Sequence, residues 1–358
     1  MAPLVKRYPK SQMHMIWLGW PLCIIGLVAG SFATTLPALI VTQGIMYSGM
    51  SKPFPPLNYF LRSVKVGFVT FYYPIISMVN EWWVTRRGLA WGIISSASGA
   101  SGVVMPFIVE ALLHKYGYRT TLRCIAIALV LLTGPLIPLF KGRLPPAEAS
   151  VMAKTDWSFL KKPIFWMYSA SNLAQGLGFF FPSLYLPSYA TAVGLTATQG
   201  ALLLALMNVS QMVGQFTFGV LSDGRAPVNL LILMSTLVTA LASLTLWGLG
   251  HSLGILILFS LVYGFFGYGY VALRVHMGTA ITTEPTAALA TFSIFCFGQG
   301  VGNVLAGPIS AGLLLRVVRP GDYGALRFKS VIIFTGCAMV MSAVSIGTWY
   351  IRPKRLRT

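Results

Sequence analysis

Acidic side chains are nearly missing from this sequence. Only 7 Asp and Glu stand among 358 residues, and all charged residues together make up 9%. A water-facing globular surface carries about 25% charged residues, so a soluble domain is excluded. Histidine is scarce as well, at 4. The four cysteines, Cys23, Cys124, Cys296 and Cys337, stand singly inside apolar runs. Without CxxC spacing they indicate neither a disulfide framework nor a zinc site. No Ser–His–Asp grouping, phosphate loop or dinucleotide fingerprint occurs, and "GASG" and "GYGY" are too short to count. Neither a catalytic residue nor a metal or cofactor is expected.

What the chain has instead is apolar length. Hydrophobic residues make up 56%, and the mean hydropathy is +0.75. Runs of about 20 apolar residues are membrane-spanning helices. Their continuity excludes a transmembrane barrel, whose strands alternate. The expected fold class is an all-α polytopic membrane protein with about ten spans. These run 16–34, 37–50 joined to 70–83, 89–113, 120–140, 164–190, 198–222, 228–249, 253–280, 287–315 and 329–351. The basic stretch 1–10 leads into a run too long for a signal peptide and reads as a first helix. The second span is interrupted around 51–70 by "SKPFPPLNYFLRSVKVGFVTF", with Lys52, Arg62 and Lys65. Two readings stand, a loop or an intron retained in the gene, and the second is favoured because irregular polar backbone is not tolerated in lipid.

The net charge of +19 does not indicate nucleic acid, because the basic residues form short blocks between apolar runs and no single basic face. With an even number of spans, 15 Lys and Arg fall on the side of the termini and 7 on the other. That bias expects both termini in the cytosol. The longest polar connection, 141–163, separates an N-terminal four-span bundle (1–140, with the insert) from a C-terminal six-helix bundle (164–358). A long loop in mid-chain is the pattern of a protein built from two packed bundles.

Residues 80–99, "NEWWVTRRGLAWGIISSASG", hold a carboxylate, three tryptophans and two arginines where apolar runs meet. Under this topology they form a tight cytosolic turn, with Trp82 and Trp83 at the interface and Arg86 and Arg87 among headgroups. Gly88, Gly92, Ser95, Gly99 and Gly102 then recur at three- and four-residue spacing, which lets helix backbones approach closely.

"WWVTRRGLAWGIISSASGASG" resembles the fifth-helix signature of the monocarboxylate-porter-like family of the major facilitator superfamily. "GVLSDG" at 219–224 resembles the superfamily's loop motif, here in the second half, and "YGYRTTLR" and "GNVLAGPISAGLL" are similar to the fungal branch. The likeness runs from about residue 6 to 351 apart from the insert. It implies that the spans correspond to helices three to twelve of a twelve-helix fold, the first two being absent. It further implies a secondary active transporter, not an enzyme, that moves a small organic solute by alternating access. That solute is a monocarboxylate-like anion or a secreted metabolite, with a coupling proton as a further partner. The plasma membrane is the implied location and the vacuolar membrane the alternative. The missing helices and the insert motivate a second reading, a transport-inactive or regulatory remnant. A membrane enzyme is third and weakest.

Arg274, in "YGYVALRVHMG", is the sharpest candidate. An arginine inside a span is costly and marks function by default. Two readings stand equal: a bidentate hold on a substrate carboxylate, or a snorkelling side chain ten residues before Glu284. Gln211 and Gln215 share a helix face. In the animal proton-coupled members an Asp and an Arg occupy what look like these positions, so the two amides depart from that pattern and suit a neutral or larger polar substrate. For Gln215 interhelical hydrogen bonding is favoured. Trp91 likewise stands where the family often has a small polar residue. Asn172, Gln175 and Tyr185, with Phe180, are candidates to line a cavity. Gly219 and Asp223 carry the loop motif together with Arg86 and Arg87, with Asp223 expected at the start of the following helix, capping its N–H groups as a gating latch. Glu81 is expected to pair with Arg86 or Arg87, and Glu110 to meet water or Lys115. Gly92, Gly99, Gly102, Gly302, Asn303, Gly307 and Pro308 are expected to serve helix packing, with Gln299. His276 reads as interfacial.

Overall fold

The computed structural model describes residues 12–33, 71, 74–76, 78–79, 82–83, 86–140, 156–224, 226–314, 323–325 and 328–351. The expected insert, Glu81 and both chain ends lie outside these residues. The described residues are helices and turns, with no strand among them. They divide into two compact units, one within Met1–Val84 and Met105–Thr155, the other within Thr85–Val104 and Asp156–Thr358. Among the described residues eight helices are long and apolar enough to cross a membrane.

The first unit holds α1, Gln12–Phe32, and the later part of α2, Arg87–Thr133. Within "KYGYRT" Gly117 breaks α2 with φ 74° and ψ 171°, a conformation that glycine adopts at no steric cost. Around this break α1 is tied to the second arm of α2. Tyr118 Oη donates to the Ala33 carbonyl at 3.0 Å, Arg123 Nε donates to Ser31 Oγ at 3.1 Å, and Trp20 Nε1 donates to Thr133 Oγ1 at 2.7 Å.

The second unit is built from the start of α2 and from α3, Pro163–Gly178, α4, Phe181–Ala192, α5, Ala197–Ser222, and α6, Val228–Ala242. Further on come α7, Leu253–Val262, α8, Tyr268–Ile281, α9, Pro285–Leu314, and α10, Lys329–Ile351. A π-helical turn, Tyr263–Gly267, joins α7 to α8, so Leu253–Ile281 is one apolar span.

The expected span 164–190 is instead two helices broken at Phe179 and Phe180. Pro182 causes the break: it has no N–H, and its ring crowds the carbonyl four residues back, that of Gly178. A carbonyl freed within hydrocarbon needs a new donor. Tyr263 supplies it, with Oη 3.1 Å from the Phe179 carbonyl and 3.4 Å from that of Gly178. The far end of α4 closes on Gly194, at φ +88°. There Leu195 N–H reaches the Ala190 carbonyl at 3.0 Å and Gly194 N–H that of Thr191 at 3.2 Å, the paired bonds that finish a helix on a left-handed residue. Two residues later α5 opens on a capping box. Thr196 Oγ1 accepts from Gln199 N–H at 3.3 Å, and Gln199 Oε1 accepts from Thr196 N–H at 2.9 Å.

Two aromatic clusters fill the unit. One gathers Phe181, Tyr189, Trp247, Phe259 and Tyr263, the other Phe165, Tyr168, Tyr270 and Phe295. Along α3 the buried polar residues Ser171, Asn172 and Gln175 come between Tyr168 of one and Phe179 of the other. Elsewhere some buried hydroxyls are satisfied within their own helices, as Thr239 is by Ser235 and Ser260 by Leu256, and others by a neighbouring span, as Ser235 is by the Phe266 carbonyl. Leu241, Phe297 and Val344 are exposed, as suits a surface solvated by lipid tails.

Glycines set how near α3 comes to its neighbours. A Cβ on Gly302 would lie 2.6 Å from Leu177 N, and one on Gly176 2.8 Å from Gln299 Cα, so α3 and α9 meet backbone to backbone. Gly307 departs from the expected packing role, since a Cβ there would meet nothing within 4 Å among the described residues. Gly302→Ala should therefore lower the stability of the detergent-solubilised protein by about 1–3 kcal/mol through overpacking. Gly254→Ala, at an open position, should leave it unchanged or slightly raised. Thermal unfolding of both variants checks this.

Candidate functional site

Arg274 lies on α8 with 4% of its surface exposed. That value settles its direction: the side chain turns into the bundle and does not snorkel. Its Nε donates to Asn172 Oδ1 on α3 at 2.9 Å. Its Nη1 is 3.8 Å from Cys296 Sγ on α9, a weak acceptor. Its Nη2 is buried without a hydrogen-bond partner. No carboxylate pairs with Arg274 among the described residues; their recorded ion pair is elsewhere, between His276 and Asp223. A guanidinium surrounded by neutral groups in an apolar bundle is an unbalanced charge, and such a charge is costly unless a partner is supplied.

Beside it runs a polar strip. Gln175 Oε1 accepts from Gln299 Nε2 at 3.2 Å, and Gln175 Nε2 is 3.5 Å from the Gly267 carbonyl. Ser171 Oγ lies 3.0 Å from Tyr270 Oη and 2.7 Å from Ser342 Oγ. One helical turn beyond Gln299, Asn303 keeps a buried Oδ1 with no partner. Asn172 and Gln175 thus share one environment with Arg274. Tyr185 does not: its ring stacks on Phe181 with centroids 6.2 Å apart, in the other aromatic cluster. Phe180 is exposed.

Gln211 and Gln215 belong to a separate seam, where α5 packs on the start of α2. Gln211 Nε2 donates to Ser98 Oγ at 3.0 Å, and Asn208 Nδ2 donates to the Gly102 carbonyl at 3.1 Å. Gln215 is buried with Oε1 unpartnered, so the interhelical bond favoured for it is not the one formed. The small residues make this seam tight. A Cβ would come 2.9 Å from the Gln215 carbonyl oxygen at Gly92, 2.8 Å from that of Asn208 at Gly99, and 2.7 Å from Asn208 Oδ1 at Gly102. Trp91 is buried against Phe292, ring centroids 4.8 Å apart.

The seam ends in a charged knot. Asp223 directly follows α5, and its carboxylate caps the start of α2, not of α6 as expected. Oδ1 accepts from Gly88 N–H at 2.8 Å and Oδ2 from Leu89 N–H at 2.7 Å. A carboxylate on the exposed amides of a helix N-terminus satisfies donors with no intrahelical partner and meets the positive end of the helix dipole. Gly219 lets the backbones close, since a Cβ there would lie 2.8 Å from Gly92 Cα. His276 Nε2 is 3.1 Å from Asp223 Oδ1, so this histidine, which the sequence reads as interfacial, is a partner of the loop motif. Arg86 is exposed, and Arg87 is half-buried with Nε unpartnered. Neither His276 nor Cys296 showed its partner in the sequence, because Asp223 and Arg274 belong to other helical segments. Among the described residues no three His, Cys, Asp or Glu side chains are grouped to hold a metal.

The model of the Major Facilitator Superfamily matches residues 1–284 of this chain. The MFS transporter asaE of Aspergillus flavus is 26% identical over 352 residues, covering 97% of this chain and 75% of that protein. Monocarboxylate transporter 12 of Homo sapiens is 27% identical over 385 residues, covering 97% of this chain and 69% of that protein. The crystal structure of a bacterial homologue of the iron transporter ferroportin in an outward-facing state aligns with a TM-score of 0.61 at 15% identity, covering 98% of this chain and 87% of that one. Nucleoside transporter NupG aligns with a TM-score of 0.56 at 15% identity, covering 98% and 86%. The last two likenesses concern the fold alone.

Asp223→Ala removes both acceptors from the α2 N-terminus. It should destabilise the protein by about 0.5–2 kcal/mol, the range for a lost cap. Asp223→Asn, which keeps one oxygen, should lose less. The shift in unfolding midpoint between the two variants measures this.

Proposed function

This chain belongs to the Major Facilitator Superfamily, and on that premise we propose that it is a secondary active transporter of a small organic anion, a monocarboxylate or an anionic secreted metabolite. It is an integral multi-pass membrane protein of a transporter family and not an enzyme. The observation that supports an anionic solute is the buried guanidinium of Arg274, with Nη2 free and no carboxylate beside it among the described residues. The name of one of its relatives, monocarboxylate transporter 12, leans the same way. Gln211 and Gln215 offer neither a titrating acid nor a fixed cation, so in this reading the solute's charge is met from α8 and not from α5. Asn172 and Gln175 carry the polar contacts around it.

In this reading transport proceeds by alternating access, with the site open to one side of the membrane at a time. Asp223 on the α2 amides is the latch. The excess of Lys and Arg on the side of the termini supports a cytosolic position for both ends, and hence for the latch. The plasma membrane is the location in this reading. An intact latch keeps the cytosolic end closed, and its release lets that end open.

Uptake of radiolabelled lactate, pyruvate and benzoate into yeast lacking its own carriers for them is the test. Cells displaying the chain should accumulate at least one of these anions. Arg274→Gln should abolish that uptake with surface expression unchanged. Undiminished uptake in the variant removes Arg274 from the site, and uptake of none by well-displayed wild type favours the transport-inactive reading.

A further inference from the structure

Asn172 occupies the position where a carboxylate would complete an ion pair with Arg274. Its Oδ1 takes the Nε–H of the guanidinium at 2.9 Å. The amide is fully buried and held in that orientation. Its Nδ2 donates to the Tyr168 carbonyl at 2.8 Å and lies 3.3 Å from Met277 Sδ. A flipped amide would set its oxygen against the Tyr168 carbonyl and its N–H groups against Arg274, two repulsive contacts. The oxygen toward Arg274 is therefore fixed by the fold. It holds the guanidinium at Nε and leaves the positive charge uncompensated, with Nη1 near a thiol and Nη2 buried without a hydrogen-bond partner.

We propose that Asn172 is the residue that sets the charge selectivity of the site, a positioning residue that orients Arg274 without neutralising it. The counter-charge must then arrive with the solute, as a carboxylate on Nη2. This rests on the reading of Arg274 as the solute-holding residue. Its consequence is discrimination by charge at equal shape. A carboxylate balances the guanidinium in a low dielectric, whereas the corresponding primary amide leaves it unbalanced. An aspartate at 172 would supply the missing charge from within. The carboxylate replaces the amide's bond to the Tyr168 carbonyl with an oxygen facing that carbonyl, a repulsive contact, and gains a charge-assisted bond from Arg274. The site then has no charge left to offer an anion.

The test is thermal unfolding of the purified full-length protein in detergent at constant ionic strength, with acetate, lactate or benzoate set against acetamide, lactamide or benzamide. The wild-type midpoint should rise with at least one carboxylate and not with its amide. Asn172→Asp should fold and lose the carboxylate-induced rise completely. Asn172→Leu, which removes the positioning bond and leaves the charge, should keep a smaller rise. A full wild-type rise in Asn172→Asp overturns the role of Asn172. Should that variant not fold, a rise in Asn172→Leu equal to wild type overturns it instead. Absence of any rise in the wild type, or its persistence in Arg274→Gln, overturns the reading of Arg274 itself and this proposal with it.

Discussion

A positive charge held in an apolar bundle by neutral groups is the contact on which the functional account depends. In water a guanidinium needs no partner. At 4% exposure each unfilled donor is a standing cost, and a fold that tolerates one either has a use for it or has replaced it with a paired group. Asn172 shows that the position is shaped. The amide has been fixed from both ends, by Arg274 on its oxygen and by Tyr168 on its nitrogen. The strip of Gln175, Gln299, Ser171 and Tyr270 beside it is satisfied largely within itself, which leaves the guanidinium as the outstanding donor of that strip.

The same constraint shapes the backbone. Hydrocarbon offers no water to a broken helix, so each break must bring its own partners. The break between α3 and α4 takes Tyr263 from the third span further on, Leu253–Ile281. The end of α4 takes Gly194, whose left-handed conformation lets two amides turn back on free carbonyls. The start of α2 takes Asp223 from a loop 135 residues further along the chain. This last case joins structure to function. A cap supplied from another segment can be withdrawn when segments move, whereas a cap within the helix cannot. That makes Asp223 suited to a latch, and His276 beside it shows how closely the knot is packed.

Much of the architecture was legible in the residues because it follows from quantities that add along the chain. Scarcity of charge and the length of apolar runs each act locally, and the gap between the runs 89–113 and 120–140 falls where α2 breaks at Gly117. The glycine spacing after Arg87 likewise indicated a face for close approach, and at Gly92, Gly99 and Gly102 that face meets α5. What the residues could not show was the other half of each long-range contact. The place of Arg274 in the sequence is the same whether it snorkels or turns inward, and its burial and the bond to Asn172 separate the two. Asp223 was expected to cap α6 because α6 follows it, yet the donors lie on α2. Pro182 is compatible with both a bend and a break, and Tyr263, which makes the break tolerable, lies 81 residues away.

The central claim is that the charge missing from this bundle is brought by the solute. The most direct measurement is an experimental structure of the protein with bound 4-bromobenzoate, the bromine located by its anomalous signal. The account predicts the carboxylate within hydrogen-bond distance of Arg274 Nη2, with Asn172 Oδ1 still on Nε. A ligand bound elsewhere, with Nη2 satisfied by a side-chain carboxylate of this chain, would contradict it.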